Sequence, residues 1–148
     1  MIFDATLLFS DAQAITADAA STNYIDLGAT GTPYGGVALA RDIGPGCPVP
    51  ISVTVGAAFN TLTSLDIYLE VDDNTSFSSA KEVATVNYPL ARLTAGAILD
   101  FPNYVPQGTN ERYFRLRYDV IGTNPTTGNI TAGIVAAKQT NTRKVYSV

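Results

Sequence analysis

Hydrophobic and polar positions alternate along much of the chain. In "SLDIYLEV" (64–71), Leu65, Ile67, Leu69 and Val71 fall on one face, and Asp66, Tyr68 and Glu70 on the other. A strict period of two is the mark of a strand that covers a core with one side and meets water with the other. "RYFRLRYDV" (112–120) repeats the pattern, with Phe114, Leu116, Tyr118 and Val120 inward and Tyr113, Arg115, Arg117 and Asp119 outward. Shorter runs rich in β-branched and aromatic residues, "NYIDL", "ISVTV", "EVATVN", "AILDF" and "NITAGIVA", predict further strands. Turn-forming clusters separate them: "GATGTPYGG", "IGPGCPVP", "DDNTS", "FPNYVPQGTN" and "GTNPTTGN". One segment has a helical alternative. "SDAQAITADAA" (10–20) carries Ser10 and Gln13 at capping-box spacing, against the β-branched and Asn/Asp residues that follow.

Seven or eight short strands with regular turns predict an all-β fold, two antiparallel sheets packed as a β-sandwich. Jelly-roll and immunoglobulin-like connections are the competing topologies. One cysteine and no tryptophan remove the usual marks of an immunoglobulin domain and favour the jelly roll. At 148 residues the chain is expected to form a single domain over 1–148 around one core. Ile2, Phe3, Leu7, Leu8 and Phe9 make the start apolar, so residues 1–10 are either the first strand or an arm that pairs with a neighbouring subunit. Residues 140–148 are expected to be a flexible tail.

Charge changes the picture in one respect. Residues 1–80 hold nine acids and a single base, Arg41, whereas residues 81–148 hold eight bases and four acids. Halves of opposite sign favour contact with each other or between copies of the chain. With 46% hydrophobic and 15% charged residues the composition is that of a globular protein. No run reaches the length of a membrane helix, and "MIFDATLLFSDAQ" has acids where a signal peptide carries positive charge. Synthesis in a cytoplasm without membrane association is the expectation. Cys47 has no second cysteine to pair with and no histidine to activate it.

Candidate chemistry is sparse. "VDDNTSFSSAKEV" (71–83) gathers carboxylates, but an EF-hand loop starting at Asp72 would put Phe77 where glycine is needed and Val83 where a bidentate glutamate is needed. A looser calcium site on Asp72, Asp73 and Asn74 stays open beside the plainer reading, a strand-connecting loop whose Asp and Asn bond their own backbone while Phe77 returns to the core. Without histidine, a Ser-His-Asp triad is excluded and common zinc sites are disfavoured. The acids are scattered and there is no tryptophan platform for sugar, so no catalytic, metal or cofactor-binding residues are assigned and no enzyme is expected. "GATGTPYGG" lacks the lysine of a phosphate loop and reads as a mobile loop. The densest positive cluster is Arg112, Arg115 and Arg117 beside Tyr113. It is either an outer face paired with neighbouring acids or a partner-binding surface, to which Ile2 and Phe3 add apolar area. If it is the surface, reversing Arg115 and Arg117 to Glu weakens attachment without unfolding the protein. A sequence pI near 4.5 argues against nucleic acid as the partner.

The segments "MIFDATLLFSDAQAIT", "STNYIDLGATGTPYGG", "DDNTSFSSA" and "GTNERYFRLRYDVIGTNPTTGNITAGIVA" resemble the capsid cement, or decoration, proteins of tailed phages, in particular of the short-tailed Bordetella phage. The likeness runs to about Gln139. It implies a jelly-roll protein on the exterior of an expanded HK97-type capsid in the virion, a homodimer or homotrimer that clamps neighbouring copies of the major capsid protein. It implies no catalytic residues and no cofactors. A carbohydrate- or receptor-binding sandwich of a phage tail is the other class of function, with Tyr24, Tyr34, Tyr68, Tyr104 or Tyr113 as stacking surfaces.

Overall fold

The computed structural model describes residues 3–37, 39, 49–102, 105–107 and 109–137. The fold is all-β. The strands are β1 (Phe3–Ala14), β2 (Ala19–Ala20), β3 (Ile25–Asp26), β4 (Ile51–Ala57), β5 (Leu62–Asp72), β6 (Lys81–Pro89), β7 (Ile98–Leu99), β8 (Tyr113–Gly122) and β9 (Asn129–Val135), with one 3-10 turn at Leu90–Arg92. They form two antiparallel sheets. The first has the order β1-β9-β4-β7 and the second β2-β8-β5-β6, with β3 also paired to β8. No described helix is long and apolar enough to cross a membrane.

The alternation explains the packing. Leu65, Ile67, Leu69 and Val71 of β5 and Phe114, Leu116 and Tyr118 of β8 all point inward, where they join Phe9 of β1, Val53 and Val55 of β4, and Ile130 and Ala132 of β9 in one cluster. Two contacts tie the sheets across this core. The Phe9 and Phe114 rings meet edge to face at 5.4 Å, and the Ser10 and Tyr118 hydroxyls lie 2.8 Å apart. Ser10 gives its only proton to Gln13 Oε1 (2.8 Å), so the Tyr118 hydroxyl is the donor to Ser10. Burial pushes the Tyr118 phenol above its ordinary range, which keeps it in the donating form.

The helical alternative at 10–20 does not occur: this segment ends β1, turns, and forms β2. Ser10 and Gln13 do meet at capping-box spacing, but around a bulge where Ala12 has φ +46° and the register with β9 shifts. Gln13 then reaches across, donating to the Ala20 carbonyl (2.8 Å) and accepting from the Thr22 amide (2.9 Å). Pairing with β9 and this side-chain bridge outweigh the local helical preference. Close approach also sets Gly133 of β9, where a Cβ would stand 2.8 Å from the Leu7 carbonyl oxygen.

Residues 3–10, read as strand or arm, are the first strand of this sandwich, pairing antiparallel with β9 from Phe3 opposite Val135 onward. Met1, Ile2, Cys47, Tyr104 and the tail 140–148 lie outside the described residues. The connection from β3 to β4, residues 27–50, starts and finishes at the same end of the sandwich as Phe3. Leu27 N donates to the Arg112 carbonyl at 2.9 Å, and Val135 N donates to the Pro50 carbonyl at 3.0 Å.

Candidate interaction surface

Register decides what the outward residues of β8 can do. Arg115 stands opposite Glu70 and Arg117 opposite Tyr68 on β5. Glu70 is only 4% exposed. It accepts from Arg115 Nε at 3.0 Å and also from Arg117 Nε. Arg117 further donates to Glu82 of the edge strand β6 (2.7 Å) and to Asp119. Its guanidinium lies 4.0 Å from the Tyr68 ring centroid, and that of Arg115 lies 4.0 Å from the Phe77 ring centroid. Burial disfavours the Arg117 charge, but hydrogen bonds and the field of Asp119 and Glu70 outweigh it and raise its pKa further.

The two arginines are therefore neutralised within the chain, as in the first of the two readings drawn from the sequence. Against the expectation that reversing both to Glu leaves the fold intact, this geometry predicts a loss of stability. Reversal would crowd new carboxylates around a buried one and strip Glu70 of its donors.

Arg112 and Tyr113 belong to a different part of the surface, at the end where residues 27–50 enter and leave. Arg112 makes a two-pronged bond to Asp26 of β3, with Nε to Oδ1 and Nη2 to Oδ2 both at 2.8 Å. This pairing raises the Arg112 pKa. The Arg112 guanidinium also sits 5.0 Å from the Tyr113 ring centroid. Tyr113 meets Tyr24 edge to face at 5.4 Å, and Tyr24 leans on Phe77 at 6.2 Å. Phe77 is buried, as its expected return to the core requires, and lies beneath Arg115 and beside Tyr24 at the margin of the main cluster. Lys81 pairs with Glu111 at the same edge, which raises its pKa.

Phe3 lies on the first sheet at this end. With Asp4, Leu7, Ile134, Val135 and Ala136 it lines an open groove of about 570 Å³. Of the sequence-predicted residues, Arg112, Tyr113 and Phe3 therefore share one end of the sandwich, while Arg117 lies farther along the outer face of the second sheet. Of the tyrosines named as stacking surfaces, Tyr68 is covered by Arg117, Tyr24 and Tyr113 meet edge to face, Tyr34 is fully exposed, and Tyr104 lies outside the described residues.

The acidic loop after β5 is a self-bonded turn. Asp72 is buried, and its carboxylate accepts from Asp73 N (2.7 Å), Asn74 Nδ2 (2.8 Å), Ser79 N (2.9 Å) and Ser79 Oγ (3.0 Å). Among the described residues no group of three or more His, Cys, Asp or Glu is placed to hold a metal ion. Burial acts to raise the Asp72 pKa, but the bonds from Ser79, Asp73 and Asn74 prevail and hold it below the ordinary 3.8. Stability from such a group is complete above its unfolded value and is lost as pH falls through the lower folded value. Asp72→Asn is expected to reduce the unfolding free energy at neutral pH, with the gap to wild type closing in acid. Urea unfolding of both proteins across that range checks this, and a gap independent of pH would contradict it.

Sequence reasoning missed Asp26 and Glu70 as the organising acids, because both depend on strand register. It also passed over a usable signal: residues 27–40 contain no charged side chain, although they are rich in turn formers.

Two antiparallel sheets packed on one core, with charges paired internally on one outer face and apolar side chains at one end, define an all-β sandwich. A family model named Bbp16 matches residues 9–138, and the chain belongs to the Bbp16 family. That name is a Bordetella phage protein's, and membership of the family is consistent with a phage protein. A comparison with curated proteins finds no match.

Proposed function

We propose that the protein is a jelly-roll cement protein, which binds the exterior of the expanded phage capsid and stabilises it by clamping neighbouring major capsid protein subunits. The observation that carries this reading is the family match over residues 9–138, on a chain that folds as a compact sandwich. The jelly-roll reading is supported by the path of the chain. β1, β4, β7 and β9 build one four-stranded sheet while β2, β5, β6 and β8 build the other, the interleaving expected of two Greek keys.

Its action is binding alone, with neither a catalytic step nor a nucleic-acid partner. Pairing of Arg112, Arg115 and Arg117 with acids supports a reading without a nucleic-acid partner.

The physical logic is linkage. Expansion of a shell creates surfaces that span several subunits, and a ligand that binds only those surfaces stabilises the expanded state by mass action. A rigid sandwich loses little conformational entropy on docking. Purified virions are expected to contain this chain in many copies at a fixed ratio to the major capsid protein, read by quantitative mass spectrometry.

A further inference from the structure

The described chain stops at Ala137, one residue past a wall of the open groove. Phe3, Leu7, Ile134, Val135 and Ala136 make that groove mostly apolar, with Asp4 as its charged member. β1, which supplies Phe3, Asp4 and Leu7, is an edge strand of the first sheet. An apolar groove along a strand edge is a liability in water unless something covers it. Asp4 is also incompletely used. Thr6 N and Thr6 Oγ1 both donate to its Oδ1, at 2.8 and 2.7 Å, which leaves Oδ2 for a cation.

The residues that follow, "KQTNTRKVYSV" (138–148), have the matching chemistry. Lys138, Arg143 and Lys144 make the segment basic, and it holds no acid. "RKVYSV" is rich in β-branched and aromatic residues, and as an extended strand it puts Lys144, Tyr146 and Val148 on one side. Asn141 before it suits a turn. Residues 138–142 span about 17 Å when extended. That is enough to double back over β1, since neighbouring strands stand only about 4.8 Å apart.

We propose that residues 143–148 fold back as an extended strap over the groove of their own chain, with Tyr146 and Val148 in the groove and Lys144 against Asp4. The groove, of about 570 Å³, has room for a tyrosyl ring and an aliphatic neighbour. A short tether holds the strap beside its groove at high effective concentration, so modest contacts suffice. The strap keeps the groove and the edge of β1 out of water. Its wall at Phe3–Leu7 and the strap itself both lie outside residues 9–138, so the family match carries no expectation of this contact. The inference stands on the groove and the segment and does not depend on attachment to a virion.

The chain has no tryptophan, so Tyr146→Trp in the full chain places a single indole reporter in the strap. Its emission is expected to lie well to the blue of the urea-unfolded protein, with acrylamide quenching reduced several-fold. Adding Ala136→Arg at the exposed groove rim is expected to return both to solvent-like values with an unchanged thermal midpoint. An excess of wild-type protein does not reverse this, because each strap serves its own chain. Tyr146→Ser/Val148→Ser, which introduces no larger ring, is expected to speed hydrogen exchange of the backbone amides of residues 3–8 several-fold. Solvent-like emission, combined with exchange at 3–8 that the serines leave unchanged, would overturn the proposal. So would a blue shift that survives Ala136→Arg, which seats the strap elsewhere, or one restored by added wild type, which seats it on another copy.

Discussion

Phe9→Ala is expected to destabilise the protein by about 3–5 kcal/mol. Phe9 is fully buried and its ring meets Phe114 edge to face at 5.4 Å, so truncation removes a contact between the sheets as well as the apolar burial. Leu65, Ile67 and Leu116 of the same core cluster sit on strands paired along most of their length, and their backbones are not free to collapse into a vacated space. A loss of this size is a large part of the roughly 5–15 kcal/mol that holds a typical domain together. Equilibrium unfolding in urea reads it, and a cost below about 1 kcal/mol would mean that the two sheets do not pack through this ring.

Glu70→Gln carries the second large effect. The substitution preserves shape but leaves Arg115 and Arg117 facing a neutral amide from half-buried positions. Hydrogen bonds to a charged group contribute more than neutral ones, and a charge deprived of its partner is costly in proportion to its burial. A cost of about 2 kcal/mol is expected. The control lies in the same cluster. Glu82 is largely exposed and reaches Arg117 from the edge strand, so Glu82→Gln should cost no more than about 0.5 kcal/mol. Unfolding curves of the two variants side by side check the contrast, and equal costs would mean that burial of Glu70 contributes nothing.

These two residues show where sequence reading succeeds and stops. The inward face of β8 was legible because Phe114, Leu116 and Tyr118 alternate with polar residues, and tertiary packing uses that alternation directly. The fate of Arg115 and Arg117 was not legible. It depends on β8 lying beside β5 with Arg115 opposite Glu70, and pairing across 45 residues leaves no local trace. The segment at 10–20 failed for a related reason. Ser10 and Gln13 have the spacing of a helix cap, yet the same spacing serves a bulged strand once β9 supplies the backbone partners. β2 has two residues and exists only through its neighbour, so no periodicity could announce it, whereas β3 and β7, equally short, fall within the predicted runs "NYIDL" and "AILDF". The segment after β3 was half legible. "GATGTPYGG" was read as a loop from its glycines, but its two closing hydrogen bonds and its apolar display appear only in three dimensions.

The residues singled out from the sequence fall in two places. Arg112, Tyr113 and Phe3 lie at the end where the apolar groove, the Tyr24–Tyr113 contact and the start of the 27–50 connection are found. Arg117 instead holds the second sheet to itself through Glu70, Glu82 and Asp119.

The copy number of this chain per major capsid protein in purified virions tests the central claim most directly. A cement protein is present in many copies at one fixed ratio to the shell subunit, whatever the preparation. A few copies per particle would place the chain on a tail structure, and its absence from the particle would contradict a virion role altogether.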